Sequence, residues 1–263
     1  MVPVPTPSFC AADLDAVVFD IGGVFVVPHH DLVGGHLRAA GLAAPEGEDH
    51  YHRAHYRAVH ALTQGDGHDE TDPTFWRTYH RAYVEVLGFR DAELDVAART
   101  LGRLFGTVSG LWRQLIPDNI AGFARIAAAY PVAIVSNNDG TAEQQMIEFG
   151  VCQVGQGPLP SAVIVVDSGA VGISKPDPAI FTPALEALGT APGRTLYVGD
   201  TVHADVRGAR AAGMPVVQID PYGHHHGHDH DRVLSLVELA DYLGAPPAST
   251  ADTPSGAAST NWS

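Results

Sequence analysis

Residues 15–27 read DAVVFDIGGVFVV. Asp15 to Phe19 is a short run rich in β-branched and apolar residues that ends on an acid, Asp20. Gly22 and Gly23 follow, and a second apolar run occupies Val24 to Val27. A brief apolar run without polar alternation is the pattern of a strand covered on both faces, and paired glycines let the chain turn sharply after it. The stretch therefore predicts a buried strand and a tight turn, with a carboxylate at the strand's end.

Working outward, the same kind of strand recurs downstream, each time between helical patterns. After Pro117 come a helix near Asn119 to Ala129, VAIVS at 132–136, a helix near Ala142 to Phe149 and AVIVV at 162–166. A helix near Pro178 to Leu188, TLYVGD at 195–200, a helix from about Ala204 to Ala212, PVVQID at 215–220 and a short helix over Val233 to Leu243 complete the series. Such βαβ order predicts a parallel sheet with helices on both faces, and right-handed crossovers put the strand C-termini on one edge. From Asp31 to Phe105 the patterning is amphipathic and helical, with breaks at 41–47, 65–72 and 88–90. Four helices are expected there. The fold class is α/β: a Rossmann-like, doubly wound parallel sheet built from 14–27 and 112–244, with an inserted α-helical domain over 28–111. Residues 1–13 and the Ala-, Ser-, Thr- and Pro-rich stretch 245–263 are expected to be disordered tails.

Composition narrows the classes of function. A chain of 263 residues, 45% apolar, can bury a substantial core. The formal charge of −15 opposes binding to nucleic acid or to anionic membranes, which clustered Lys and Arg hold. No run of about 18 apolar residues is present for a membrane span, and MVPVPTPSF lacks the basic start and apolar stretch of a signal peptide, so a cytoplasmic address is expected. Cys10 and Cys152 are too few for a disulfide framework. The chain contains a single lysine, Lys175, its other fixed cations being arginines. A sequence that keeps lysine at one position only suggests that the position requires one.

Four polar residues stand at strand ends or beside them: Asp20 in VVFDIGGV, Ser136 in AIVSNND, Lys175 in GISKPDP and Asp200 in LYVGDTVHAD. A solitary Asp after a strand is ordinarily a turn residue or helix cap. In combination the residue types suit attack on phosphorus. A carboxylate such as Asp20 can form a mixed anhydride and split one hard displacement into two easier ones. Nucleophile and substrate are both anionic, so an ammonium (Lys175) and a divalent cation must offset their repulsion. Mg²⁺ takes oxygen ligands and keeps several waters, so it calls for a few carboxylates only.

In order and type, these segments resemble the four motifs of the haloacid-dehalogenase-like superfamily, a likeness that spans residues 14 to about 243. The helical block resembles the inserted cap of the phosphoglycolate-phosphatase and haloacid-dehalogenase branch. The resemblance implies a hydrolase acting on a small phosphorylated metabolite through an aspartyl-phosphate, with Asp20 as nucleophile. It implies Mg²⁺ held by Asp20, the Gly22 carbonyl, Asp200 and Asp205, the last as a ligand or as the group orienting a metal-bound water. Ser136 is expected to donate to a phosphoryl oxygen, with backbone N–H groups of Gly23 and Asn137 assisting, while the Asn137 side chain anchors the loop or touches substrate.

One position departs from the pattern. Family phosphatases commonly carry a second Asp two residues after the nucleophile, as general acid and base; here Gly22 stands there. Positioned acid–base groups contribute about 10² to 10⁴ in rate, so the expectation is a slow enzyme or one restricted to substrates whose leaving group needs little protonation, such as an anomeric sugar phosphate or an acyl phosphate. His29, His30 and His203 are candidates to replace the missing acid. Two alternatives follow: a binding or regulatory protein that keeps the fold without efficient turnover, and a 2-haloacid dehalogenase. The latter is disfavoured because such enzymes lack the paired carboxylates of GDxxxxD. Phosphonatase chemistry needs a cap lysine, which is missing, and mutase chemistry needs the second Asp.

Two histidine-rich stretches remain. In the second helix of the block His52, His55, Tyr56 and Val59 share a side, and Trp76, Tyr79, His80 and Tyr83 follow similar spacing on the next helix. Amphipathic stripes of this kind ordinarily pack helices together, with the alternative of a polar pocket for a sugar or carboxylate. The segment GHHHGHDHD, 223–231, follows the last expected strand and reads as a solvated loop with adventitious affinity for metals.

Overall fold

Ala16–Phe19 is buried at all four positions. The computed structural model, which describes residues 7–63 and 72–247, makes this segment the inner strand the sequence predicts. In chain order the elements are β1 (Ala16–Phe19), β2 (Val26–Pro28), α1 (His30–Ala39), α2 (Glu48–Leu62), α3 (Pro73–Val86), α4 (Asp91–Thr107) and β3 (Trp112–Leu115). Next come α5 (Pro117–Ala129), β4 (Val132–Ser136), α6 (Ala142–Glu148), the short strands β5 (Gln153–Val154) and β6 (Ser161–Ala162), and β7 (Val165–Asp167). The chain closes with α7 (Ser168–Val171), α8 (Thr182–Leu188), β8 (Thr195–Gly199), α9 (Gly208–Ala211), β9 (Val216–Ile219), β10 (Asp231–Val233) and α10 (Leu236–Tyr242).

The main sheet has six strands in the order β10-β9-β8-β1-β4-β7, and each neighbouring pair is parallel. Alternate residues of β1 face opposite layers, as the pleat requires. Val17 and Phe19 join Phe123, Ile126, Leu236 and Leu239 beneath α5 and α10. Val18 joins Ile180, Phe181, Val206 and Ala209 on the other face. The fit of α5 against α10 depends on Gly122, where a Cβ would stand 2.2 Å from the Leu236 carbonyl carbon. Between the two helices the buried Asn119 donates to the Val24 carbonyl (2.7 Å) and accepts from the Leu236 amide (2.9 Å), fixing the turn that follows β1.

Helices α1–α4 have an apolar core of their own, around Leu37, Tyr51, Tyr79, Tyr83, Leu101 and Leu104. The chain enters and leaves this helical block through an antiparallel ribbon in which Val26 pairs with Leu115 and Val27 with Gln114. All four helices match the expected pattern.

Three expectations are corrected. Residues 7–13 are not a loose tail: the Ser8 amide and hydroxyl donate to Asp231, and Phe9 packs edge-on to Tyr242 at 5.4 Å. At the other end Ala245 is buried and Pro246 accepts from Arg125, so order extends past Leu243, while residues 1–6 and 248–263 lie outside the described residues. The helix expected from Val233 starts instead at Leu236, because Asp231–Val233 adds a parallel edge strand beside β9. The strand expected over 162–166 is divided between β6 and β7. Among the described residues no helix is long and apolar enough to cross a membrane.

Candidate active site at the strand ends

Parallel pairing of β4, β1 and β8 brings their C-terminal ends side by side, and the chain places a polar residue at each. Asp20 follows β1, its amide held by the Val198 carbonyl at 2.9 Å. Ser136 ends β4 and Asp200 follows β8. Ligand-capable oxygens of Asp20, Asp200 and Asp205 lie within 4.8 Å of one another, and all three residues are buried.

Lys175 completes the group. Its Nζ lies 2.8 Å from Asp20 Oδ1 and donates to Asp205 Oδ1 (2.8 Å) and to the Tyr197 hydroxyl (2.9 Å). The contact with Asp20 is an ion pair without hydrogen-bond alignment, so Asp20 Oδ1 is buried with no hydrogen-bond partner. Asn137 holds the lysine's backbone from both sides: its Oδ1 accepts from the Lys175 amide (2.8 Å) and its Nδ2 donates to the Lys175 carbonyl (3.1 Å). Of the two roles expected for this side chain, the structure shows the loop anchor.

Asp205 lies in a π-helical turn, Val202–Arg207, whose wider loop sets its carboxylate back under Thr201. The Thr201 amide and hydroxyl both donate to Asp205 Oδ2, at 2.8 and 2.7 Å.

Gly23 sits at φ +63°, and a Cβ there would stand 2.0 Å from Asp200 Oδ2. Only glycine lets the turn pass so close to that carboxylate. The Gly23 amide donates to the Val26 carbonyl at 2.8 Å. Its expected part as a phosphoryl-oxygen donor is therefore corrected to a steric one. Gly22 is different, since a Cβ there would meet the Trp112 ring at 3.5 Å, an ordinary contact.

The electrostatics follow from three acids sharing one ammonium out of water. Burial, opposed by Lys175 and reinforced by Asp205 and Asp200, pushes Asp20 up to about 6. Burial and the charge of Asp205 raise Asp200 well above the usual carboxylate range. Asp205 is held below that range in spite of burial, because Lys175 and Thr201 stabilise its anion. Burial disfavours the Lys175 ammonium, but Asp20 and Asp205 outweigh it and the pKa rises. The cluster thus carries more negative charge than its own cation balances.

One histidine of the helical block reaches this cluster, and it is none of the three suggested in place of the missing acid but a member of the α2 stripe. His29 and His30 stack on each other at the start of α1, and His203 lies beside Arg207; none of the three lines the cavity over the carboxylates. His55, on α2, does. Burial drives its pKa down to about 3, so the ring is neutral at pH 7. Its Nε2 lies 3.1 Å from Asp200 Oδ2 and its Nδ1 2.8 Å from the Tyr79 hydroxyl. Both ring nitrogens are thus engaged, one by each region of the chain. Nothing in the α2 stripe separates His55 from His52; only the way the block sits on the sheet does so.

The cavity above the carboxylates measures about 580 Å³. Its floor is polar, with Asp20, Ser136, Asn137, Lys175 and Asp200; its roof carries Phe75, Trp76, Tyr79, Phe105 and Trp112. Neither sequence reading of these aromatics suffices alone. Tyr79 and Tyr83 pack the helices, while Trp76 and Tyr79 also face the cavity.

Comparison with known proteins identifies the family. The family model for haloacid dehalogenase-like hydrolases matches residues 14–213. The chain belongs to that family. Among curated proteins it is similar to a phosphoserine phosphatase of Thermus thermophilus, 49% identical over 67 residues, covering 26% of this chain and 27% of that protein. It is also similar to a phosphoglycolate phosphatase of Rhodospirillum rubrum, 32% identical over 150 residues, covering 49% of this chain and 57% of that one. The chain thus spans between about a quarter and three-fifths of the length of these relatives. Among solved structures, a HAD phosphatase from Thermococcus onnurineus superposes with a TM-score of 0.52 at 24% identity, covering 89% of this chain and 100% of that one. This last likeness concerns the fold.

Proposed function

We propose that the protein is a Mg²⁺-dependent phosphatase that acts on a small phosphomonoester through a phosphoaspartyl intermediate on Asp20. The observation that carries this reading is the buried meeting of Asp20, Asp200, Asp205 and Lys175 beneath a cavity. The donor set fits Mg²⁺: it is all oxygen, over-rich in negative charge, and includes an Asp20 oxygen with no hydrogen-bond partner. Asp20, Asp200 and the Gly22 carbonyl would hold the ion, with Asp205 as a further ligand or orienting group. When bound, Mg²⁺ supplies the charge that lets an anionic nucleophile approach an anionic phosphoryl group.

The chain's own residues supply the rest. A carboxylate oxygen of Asp20 attacks phosphorus as the bond to the leaving oxygen breaks, and water then cleaves the anhydride to release phosphate and restore Asp20. Lys175 offsets charge on Asp20 and on the phosphoryl group; Asp205, Tyr197 and Asn137 fix its position. Ser136 lines the floor, where its hydroxyl can donate to a phosphoryl oxygen. With Gly22 no carboxyl is present to protonate the departing oxygen, which favours leaving groups stable as anions. Helices α1–α4 act as the cap, and their aromatic roof favours an apolar, planar leaving group. Together these features favour aryl-type phosphate esters over sugar phosphates.

The test is Mg²⁺-dependent phosphate release from an aryl phosphate by the purified protein and by Asp20→Asn. Turnover that needs Mg²⁺ and falls on the order of 10⁴-fold in the variant supports the proposal. Gly22 also favours a second reading, a phosphate-binding protein with poor turnover; binding without release across a panel of phosphates would establish it. Halide release from haloacids without added metal would instead establish dehalogenation.

A further inference from the structure

All fifteen lysines and arginines of the chain fall among the described residues, and of them Lys175 alone lines the cavity. Its ammonium is already engaged by Asp20, Asp205 and the Tyr197 hydroxyl. Two arginines stand next to roof aromatics in the chain, yet each turns elsewhere. Arg77, beside Trp76, donates to the Thr74 hydroxyl at 3.1 Å, and Arg113, beside Trp112, borders a separate groove with His29 and Asp31. Neighbours on a helix point about 100° apart and neighbours on a strand to opposite faces, so an arginine beside a roof aromatic leaves the cavity. His55 offers a second anion nothing either, since Asp200 and Tyr79 engage both its nitrogens.

The charge balance of the floor makes this matter. Lys175 and one divalent ion together only offset the carboxylates of Asp20, Asp200 and Asp205, so a bound phosphoryl dianion brings charge that nothing further neutralises. Another anion on the same substrate would meet that field, lose water beneath Phe75, Trp76 and Phe105, and find neither ammonium nor guanidinium. On the exposed part of the lining it would meet Asp139, whose carboxylate accepts from the Thr141 hydroxyl at 2.5 Å and has no ion pair among the described residues. The other polar groups there, Thr107, Ser109, Asn138 and Gln145, are uncharged.

We propose that the cavity selects its substrate by charge, taking phosphomonoesters whose leaving portion carries no second anion, with Asp139 as the residue that repels one. On the phosphatase reading, on which this selection rests, a neutral ring-bearing alcohol or phenol fits, whereas carboxylated and doubly phosphorylated esters are rejected. The selection works mainly through desolvation. A neutral polar substituent can exchange water for an amide or hydroxyl of the lining, but a carboxylate cannot exchange it for a cation. Asp139 is exposed and screened by solvent, so its own share is modest.

The experiment compares 4-carbamoylphenyl phosphate with 4-carboxyphenyl phosphate, esters of nearly the same shape that differ by one charge, on the full chain in Mg²⁺. The kcat/KM is expected to favour the carbamoyl ester about 10²-fold. Asp139→Asn narrows that ratio about threefold. Ser109→Arg, which puts a guanidinium on an exposed lining position, narrows it at least about tenfold. Calorimetry of both esters with Asp20→Asn reads the same preference as affinities, needs no turnover and is blind to leaving-group acidity. Two esters that bind unequally but release no phosphate from the native chain would defeat the phosphatase reading and keep the charge selection. The selection is overturned if Asp20→Asn binds the two esters alike, if the native chain turns them over equally well, or if Ser109→Arg leaves the ratio as it was. Esters that neither bind nor react sink both readings.

Discussion

The two sides of the cavity are built on opposite principles. The sheet edge gathers Asp20, Asp200, Asp205 and Lys175, buried charges held by short polar contacts. The facing surface of the helical block offers Phe75, Trp76, Tyr79 and Phe105, which depend on shape and area. Charge positioned on a rigid sheet provides the driving force for a displacement, whereas apolar surface discriminates among leaving groups by modest amounts. On the proposed reading reactivity and selectivity are lodged in separate parts of the chain, and His55, bonded to Asp200 and Tyr79, joins them.

Substitutions on the sheet side have the largest effects. Gly23→Ala forces a Cβ against Asp200 and a non-glycine residue into positive φ. Mg²⁺-dependent kcat/KM is expected to fall about 10³-fold, with weaker Mg²⁺ binding measured by calorimetry. Retained activity would mean that this close approach is dispensable. Gly22→Asp has room for its Cβ, 3.5 Å from the Trp112 ring, and puts a carboxyl beside Asp20, the proposed nucleophile. Steady-state rates on alkyl phosphates should rise about 10²-fold while those on activated aryl phosphates change little.

Acid separates the two regions by sign. His80, on α3, is buried and pushed down to about 4, below its ordinary value of 6.5. As pH falls from about 6.5 to 4 the unfolded chain takes up that proton first, so His80 lowers stability, by up to roughly 3 kcal/mol. Burial has the opposite consequence for Asp20: its pKa of about 6 exceeds the ordinary 3.8, so folded protein binds the proton first and stability gains between those values. His80 stacks on Trp76 and meets Phe105 edge-on, and His80→Phe should flatten the fall in denaturant midpoint over this range. The smallest effect is expected from Trp76→Ala, which trims the roof: KM for an aryl phosphate should rise about tenfold with kcat nearly unchanged.

What the sequence disclosed divides along the same line. Strands β1, β4 and β8 are legible because inner parallel strands are apolar throughout, and Asp20, Ser136 and Asp200 stand out by ending them. The four helices were readable from their stripes. The strand Trp112–Leu115 was not, because WRQL alternates half-buried with exposed residues at the edge of a ribbon. Asp231–Val233 was hidden by its polar sequence behind the histidine tract. The part played by His55, the engagement of the Gly23 amide and the approach of the His60 ring to those of His224, His225 and His228 depend on how the helical block lies on the sheet, which no local pattern encodes.

The central claim is that Asp20 carries the phosphoryl group. Acid-quenched turnover of an aryl phosphate in Mg²⁺, followed by peptide mass spectrometry, tests it directly. The expected result is a phosphoryl adduct on the peptide bearing Asp20, formed only with substrate and missing from Asp20→Asn. Turnover that proceeds with the adduct on a different residue, or that persists undiminished in Asp20→Asn, would contradict it.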